Sequence, residues 1–271
     1  MKNPLFEESR VMPMLKAHDA FLAKYRIILA TTREERERVY RLRYDVYCQE
    51  IGYQPESFCQ ESLELDVHDK HSIHCYLEHR SSGLSAGCLR LVLPDPEACN
   101  GEHLLPLQEY GGSSLNHPRL QPSLLPRHEI CEISRFAIAR PFRHKAINNE
   151  TLDHVNGQNI FSDADRKTFP WIIISLFLAT YSLVGLSGRR HVFAMMEPRL
   201  PRLLSMSGFN FQKVGEPIEM HGKRSAHYID HSRAEKEIHE NLIPFYLSIK
   251  SELAEQMSDL LSVATVSADK A

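Results

Sequence analysis

The chain has no marked excess of charge of either sign. Against 35 Asp and Glu stand 32 Lys and Arg, a net charge of −3 at pH 7. That balance excludes a global attraction to nucleic acid and makes any basic patch a local affair. The six cysteines (48, 59, 75, 88, 99, 131) include no C-x-x-C pair and no metal-ligand spacing, and Cys88 and Cys131 lie in apolar contexts. Free buried thiols in a reducing cytoplasm are therefore expected. The fifteen histidines are scattered, so no bound metal is expected. No charged-then-apolar signal pattern opens the chain. The one long apolar run, Trp171 to Leu186, has sixteen residues including two Ser and a Thr. It falls short of the ~20 residues needed to span a bilayer. A core helix is the better reading, and Arg189-Arg190 after it suit a helix C-terminus. Internal repeats and low-complexity tracts are also missing.

What is present is an ordinary globular composition, 42% hydrophobic and 25% charged over 271 residues, enough for one large domain or a domain with appended segments. Residues 4–24 read as a helical arm broken at Pro13, and 25–30 as a short strand. Thr31-Thr32 then caps a helix with Glu34 and Glu35 in its first turn and Val39, Leu42, Val46 and Tyr47 on its apolar face. A polar loop over 54–70 precedes a hairpin of strands 73–79 and 86–93 across RSSGLS. Six prolines make 94–128 a long loop with one short helix. Residues 140–169 read as an insertion or lid. Further on come a helix over 170–187, a strand over 191–196, a short helix over 199–207 ended by Gly208, and strands at 209–214 and 227–229. A long amphipathic helix over 233–262, interrupted near Pro244, closes the chain. The order predicts a mixed α/β sheet with helices on both faces.

The stretch EICEISRFAIAR, residues 129–140, stands out. It reads as a strand, yet places Glu132 and Arg135 among core-like neighbours. Such charges are costly unless paired or used. A structural ion pair and a catalytic group are both open readings.

Other polar residues fall in order around it: Arg43, Tyr47 four later, Tyr53, the run Glu64-Leu65-Asp66-Val67-His68-Asp69, Gly87-Cys88-Leu89-Arg90, and Glu132-Ile133-Ser134-Arg135-Phe136. This ordered set resembles the acyl-homoserine-lactone synthases, which belong to the GNAT-type N-acyltransferases. It covers about residues 26–230, within a GNAT-like unit over 25–230 flanked by the arm (1–24) and a C-terminal helix and tail (231–271). The two family aromatics, usually Phe and Trp, are both Tyr here. The long 94–128 and 140–169 segments and the terminal helix are more similar to long-chain N-acyl amino acid synthases and to acyltransferases associated with PEP-CTERM/exosortase systems.

The resemblance implies acyl transfer to an amine in a bacterial cytoplasm, with an amino acid expected as acceptor and S-adenosylmethionine as the alternative. A non-catalytic acyl-carrier or lipid-binding module is a further alternative. Glu132 is the candidate general base, with Arg135 beside it and the backbone of Phe136 and Ala137 polarising the thioester in a gap next to strand 191–196. Arg43, Tyr47, Tyr53, Asp66, Asp69 and Arg90 are expected to shape the acceptor end. Arg43 or Arg90 would grip an acceptor carboxylate. An acyl pocket is expected around Trp171, Phe193 and Met195, with the terminal helix closing it or lying on a membrane surface. GNAT enzymes that use coenzyme A carry a glycine-rich R-x-x-G-x-[GA] turn. The corresponding Arg140 to Ala146 lacks both glycines, so an acyl-phosphopantetheine on an acyl carrier protein is the expected donor, ahead of acyl-CoA. Arg140, Arg143, Lys145, Arg166, Lys167, Arg189, Arg190, Arg199 and Arg202 would form its docking face. No permanently bound cofactor is expected.

Overall fold

The computed structural model describes residues 11–53, 55, 59–94, 104–143, 154, 155, 158, 159 and 161–268. After helix α1 (Val11–Lys24) and strand β1 (Tyr25–Leu29), Thr32 caps α2 (Arg33–Tyr44) as expected. Its hydroxyl accepts from the Glu35 amide at 3.2 Å, and the Glu35 carboxylate accepts from the Thr31 and Thr32 amides at 2.9 and 3.0 Å. The helix does not stop at Tyr44 but relaxes into a π-helical turn, Asp45–Glu50, which nothing in the sequence announces.

The expected hairpin forms from β2 (Ser72–His79) and β3 (Ser85–Val92). The short helix of the proline-rich segment is α3 (Pro106–Gly111), with proline in its first turn. Strand β4 (Ile130–Ile138) is followed by the two-residue strands β5 (His154–Val155) and β6 (Gln158–Asn159) and by α4 (Asp163–Arg166). Then come α5 (Phe169–Leu186), β7 (His191–Met196), α6 (Leu200–Ser205), β8 (Gln212–Lys213) and β9 (Ile218–Glu219). Strand β10 (Lys223–Asp230) is much longer than the three residues expected, because its polar first half hides the alternation. Only Gln212 and Lys213 of the 209–214 stretch pair. The terminal helix is two pieces, α7 (His231–Glu237) and α8 (Ile243–Ala268), and the break lies ahead of Pro244, which falls in the first turn of α8.

The sheet runs β1-β2-β3-β4-β7-β10-β8, with β9 against β10. Among the described strands β4–β7 is the one parallel pair. One face carries α1, α5 and α8, whose Phe21, Leu176 and Ile249 join Leu89, Cys131 and Val192 in a single core. By length and composition α5 is long and apolar enough to cross a membrane, but 72% of it is buried against this core. The opposite face is shared by α2, over Tyr76 and Cys88, and by α3, whose Leu107 packs with Val92, Ile130 and Phe193. Between those two coverings the face is polar, and the candidate site lies there.

Among the described residues, none of helix α8 lines either cavity of the candidate site. Phe245, Ile249 and Leu253 are buried in the core. Gln256 reaches the sheet's outer edge, where its side chain accepts from the Leu29 amide at 2.8 Å and donates to the Ile27 carbonyl at 2.9 Å.

Candidate active site

Strands β4 and β7 pair through four rungs, from Ile130–His191 to Ile133–Ala194, and no further. On its other side β4 meets β3 with a bulge: Arg90 faces Ser134 and Cys88 faces Ala137, so three steps of β4 match two of β3. The bend falls at Arg135, whose φ of +51° is left-handed, a costly conformation for a residue with a Cβ. The carbonyl of Phe136 accepts from the Tyr47 hydroxyl at 2.8 Å, so the π-helical turn buttresses the bulge. Gly87 permits the close approach of β3, β4 and α5. A Cβ there would meet Leu176 Cδ1 at 2.7 Å and the Ala137 carbonyl at 2.9 Å.

From Ser134 onward the edge of β4 thus faces a cleft of about 700 Å³ whose opposite wall includes Met195, Met196 and Arg199. Phe169, Ile173 and Phe177 of α5 make its apolar side. A smaller cavity of about 210 Å³ adjoins it and shares Tyr47, Tyr53, Ser134, Arg135, Met195 and Arg224 as walls. Glu132, Leu107 and His221 line this second space.

Three arginines and three carboxylates build the floor. Arg43 donates to Glu64 and, at 2.7 and 3.1 Å, to both oxygens of Asp69. Arg90 donates to Asp66 at 2.6 Å, Asp69 at 2.8 Å and the Ser134 hydroxyl at 3.0 Å. Arg135 closes the ring on Glu64 and on Asp66, at 3.0 and 2.9 Å. Burial raises the three carboxyls, but the guanidiniums outweigh it and hold Glu64, Asp66 and Asp69 below the ordinary carboxylate range. Glu64, quoted in the acidic run but given no role there, is the member the sequence reading missed.

Glu132 stands outside that ring. In its row across the sheet it lies between Val92 and Phe193, both apolar. It is 2% exposed, and its carboxylate accepts one bond, from the Leu107 amide at 2.7 Å. Burial pushes it up to about 8, against the opposing pull of that amide and of Arg90 and Arg135. A buried, raised carboxyl on a cavity wall is suited to receiving a proton.

Several expected positions change. Arg43 and Arg90 are fully buried and engaged by the ring, and neither lines a cavity, so neither is placed to grip an acceptor. Trp171 packs in the core against His18 and Phe245, away from the cleft. Phe193 is buried beside Glu132 on the zipped part of the pair; Met195, past the split, does line the cleft. Arg143 lines the cleft while bonding Glu50 at 2.8 Å and the Ile138 carbonyl at 2.7 Å. Arg140 lies in the adjoining turn, and Lys145 falls outside the described residues. Arg189 and Arg190 belong to the other end of β7, about 16 Å of strand from the split. There Arg189 donates to the His128 carbonyl at 2.6 Å and Arg190 to Asp230 at 2.9 Å, so they do not share a face with the cleft mouth. Arg224 and His221 had no advance signal. They come from β10 and the turn before it, some ninety residues after Glu132.

Comparison with known proteins adds to this geometry. A model of the acetyltransferase (GNAT) domain matches residues 42–152. No curated protein sequence matches the chain. Among solved structures, the AHL synthase LasI aligns at a TM-score of 0.52 and 14% identity, over 76% of this chain and 90% of LasI. FeeM, an N-acyl amino acid synthase from uncultured soil microbes, aligns at 0.52 and 13%, over 79% and 95%. BjaI, a CoA-dependent acyl-homoserine lactone synthase solved with SAM and isopentyl-CoA, aligns at 0.51 and 17%, over 83% and 89%. The mostly antiparallel sheet with its splayed parallel pair and the likeness to these structures show a mixed α/β GNAT fold, extended by further helices, within which residues 42–152 resemble the acetyltransferase (GNAT) domain.

Proposed function

We propose that the protein transfers an acyl group from a phosphopantetheine thioester to a small primary amine, with Glu132 as general base. The observation that carries the reading is the placement of Glu132, a single raised carboxyl facing the smaller cavity where β4 and β7 part. The thioester would lie along the exposed edge of β4 as an added strand does, its oxygen polarised by backbone N–H groups past the bulge. The amine nitrogen attacks the thioester carbon, the C–N bond forms and the C–S bond breaks. The amine's proton passes to Glu132 and leaves with the departing thiol. An α-amine titrates near 7.7–8.0. Its match with a carboxyl near 8 makes that proton transfer nearly thermoneutral. The larger cleft, apolar on its α5 side, would take the acyl chain.

Two acceptors fit the class. S-adenosylmethionine is favoured by the comparisons, since LasI and BjaI are both named as synthases of the homoserine-lactone kind. A plain amino acid, as FeeM's description implies for FeeM, is favoured by the size of the acceptor cavity. At about 210 Å³ it is below the roughly 300–1,000 Å³ of pockets for drug-sized ligands. For the donor, the missing glycines at Arg140–Ala146 favour an acyl carrier protein over coenzyme A, which BjaI uses. Incubating the protein with acyl carrier protein or CoA thioesters and either S-adenosylmethionine or amino acids, read by mass spectrometry, tests each choice. An N-acyl product lost in Glu132→Gln is expected. Full turnover in that variant would remove Glu132 as the base, and no product from the wild type with any of these donors and acceptors would favour the binding-module alternative.

A further inference from the structure

The smaller cavity has two arginines on its wall, and they differ in what they have left to offer. Arg135 spends its guanidinium on Glu64 and Asp66. Arg224, on β10, has only one carboxylate partner among the described residues, and that one is exposed. Its Nη2 donates to the Tyr53 hydroxyl at 2.6 Å and reaches Glu197 at 3.3 Å, and Glu197 is 60% exposed. An exposed partner at that distance binds weakly and is readily exchanged. Among the described residues the Nε of Arg224 is buried without a hydrogen-bond partner. A buried donor without a partner marks a guanidinium whose hydrogen bonding is incomplete. Arg90 also holds an unpartnered Nη2, but it is sealed beneath the ring and reaches neither cavity.

The surroundings hold this side chain in place. The guanidinium lies over the Tyr53 ring, 5.2 Å from its centroid, and His221 stacks on the same ring at 4.7 Å. A guanidinium is a fork of N–H donors matched to a two-oxygen anion, and a ligand carboxylate that displaced the exposed Glu197 would leave the Tyr53 bond in place. Across the same cavity stands Glu132, which accepts protons and suits a cationic or neutral amine.

We infer that Arg224 is the specificity-determining residue for the acceptor: it binds a carboxylate next to the reacting amine, so the substrate class is α-amino acids, S-adenosylmethionine included, and excludes simple amines. This rests on the acyl-transfer reading above. Its test uses matched acceptors that differ only in the carboxylate: L-tyrosine with tyramine, L-leucine with isopentylamine, and S-adenosylmethionine with its decarboxylated form. Wild-type protein should prefer the carboxylate member of the pair it uses by about 10- to 100-fold in kcat/KM, the value of one charge-assisted hydrogen-bonded contact. Arg224→Gln should raise KM for that acceptor by the same factor, leave kcat within a few-fold, and treat both members alike. Arg224→Lys should restore part of the preference, which a purely structural role would not predict. Preference retained in Arg224→Gln, or no preference in the wild type, overturns the assignment alone. No acylated product from wild type with any acceptor overturns the transfer reading and this inference with it.

Discussion

Glu132 and Phe193 are partners across the parallel strands β4 and β7, one rung before those strands separate. The ring screens the carboxyl from water on one flank and Val92 does so on the other, while the open end of the wedge begins just beyond. The carboxyl is therefore dry and still within reach of a substrate. Replacing it by its isostere should remove proton transfer and little else. Glu132→Gln is expected to lower kcat about 10²-fold with acceptor KM nearly unchanged, in steady-state assays.

The same dryness gives a pH signature. With its folded value near 8, above the 4.5 of an exposed glutamate, Glu132 is neutral in the ligand-free protein at pH 6 and charged at pH 9. Activity should rise with pH through about 8 more steeply in the wild type, where Glu132 and the acceptor amine both titrate, than in Glu132→Gln, where only the amine does. Stability runs the other way. The folded state binds a proton that the unfolded chain has already released, so this group's contribution is full below about 4.5 and falls away as pH rises to about 8. Urea midpoints of wild type minus Glu132→Gln should decline between pH 5 and pH 9.

The arginine–carboxylate ring predicts the opposite slope at low pH. Glu64, Asp66 and Asp69 all titrate below their ordinary values, so stability that is present above about pH 4 drains as pH falls through their folded values. Asp69 bridges Arg43 and Arg90 with both partners fully buried. Asp69→Leu strands those charges and should cost about 3–5 kcal/mol by chemical denaturation.

Gly87 tests the bulge. The methyl of Gly87→Ala would press on Leu176, which can shift, and on the Ala137 carbonyl, which can move only by parting β3 from β4. A loss of about 1–3 kcal/mol is expected. Turnover should fall beyond what the lost stability explains, because Ala137 belongs to the cleft edge.

Much of this site was legible because its signals are local. Thr32 and Glu35 announce α2 within four residues, and the acidic run and the Glu132 strand each carry their charges in one short segment. The cleft lining was not. In α5 apolar residues go all the way round, so sequence spacing cannot tell Ile173 and Phe177, on the cleft, from Trp171, in the core. Phe193 and Met195 point to the same face of β7 by alternation, and only the place where the rungs stop separates their roles. Arg224 depends on a strand that looks like a polar loop and on a fold that brings it back beside Tyr53, 171 residues away.

The side-chain amide of Gln256 occupies the backbone donor of Leu29 and the acceptor of Ile27. An outermost strand left bare is a template on which another molecule can nucleate cross-strand growth. A chain shortened before Gln256 is therefore expected to self-associate through β1, read as a concentration-dependent rise in mass by light scattering.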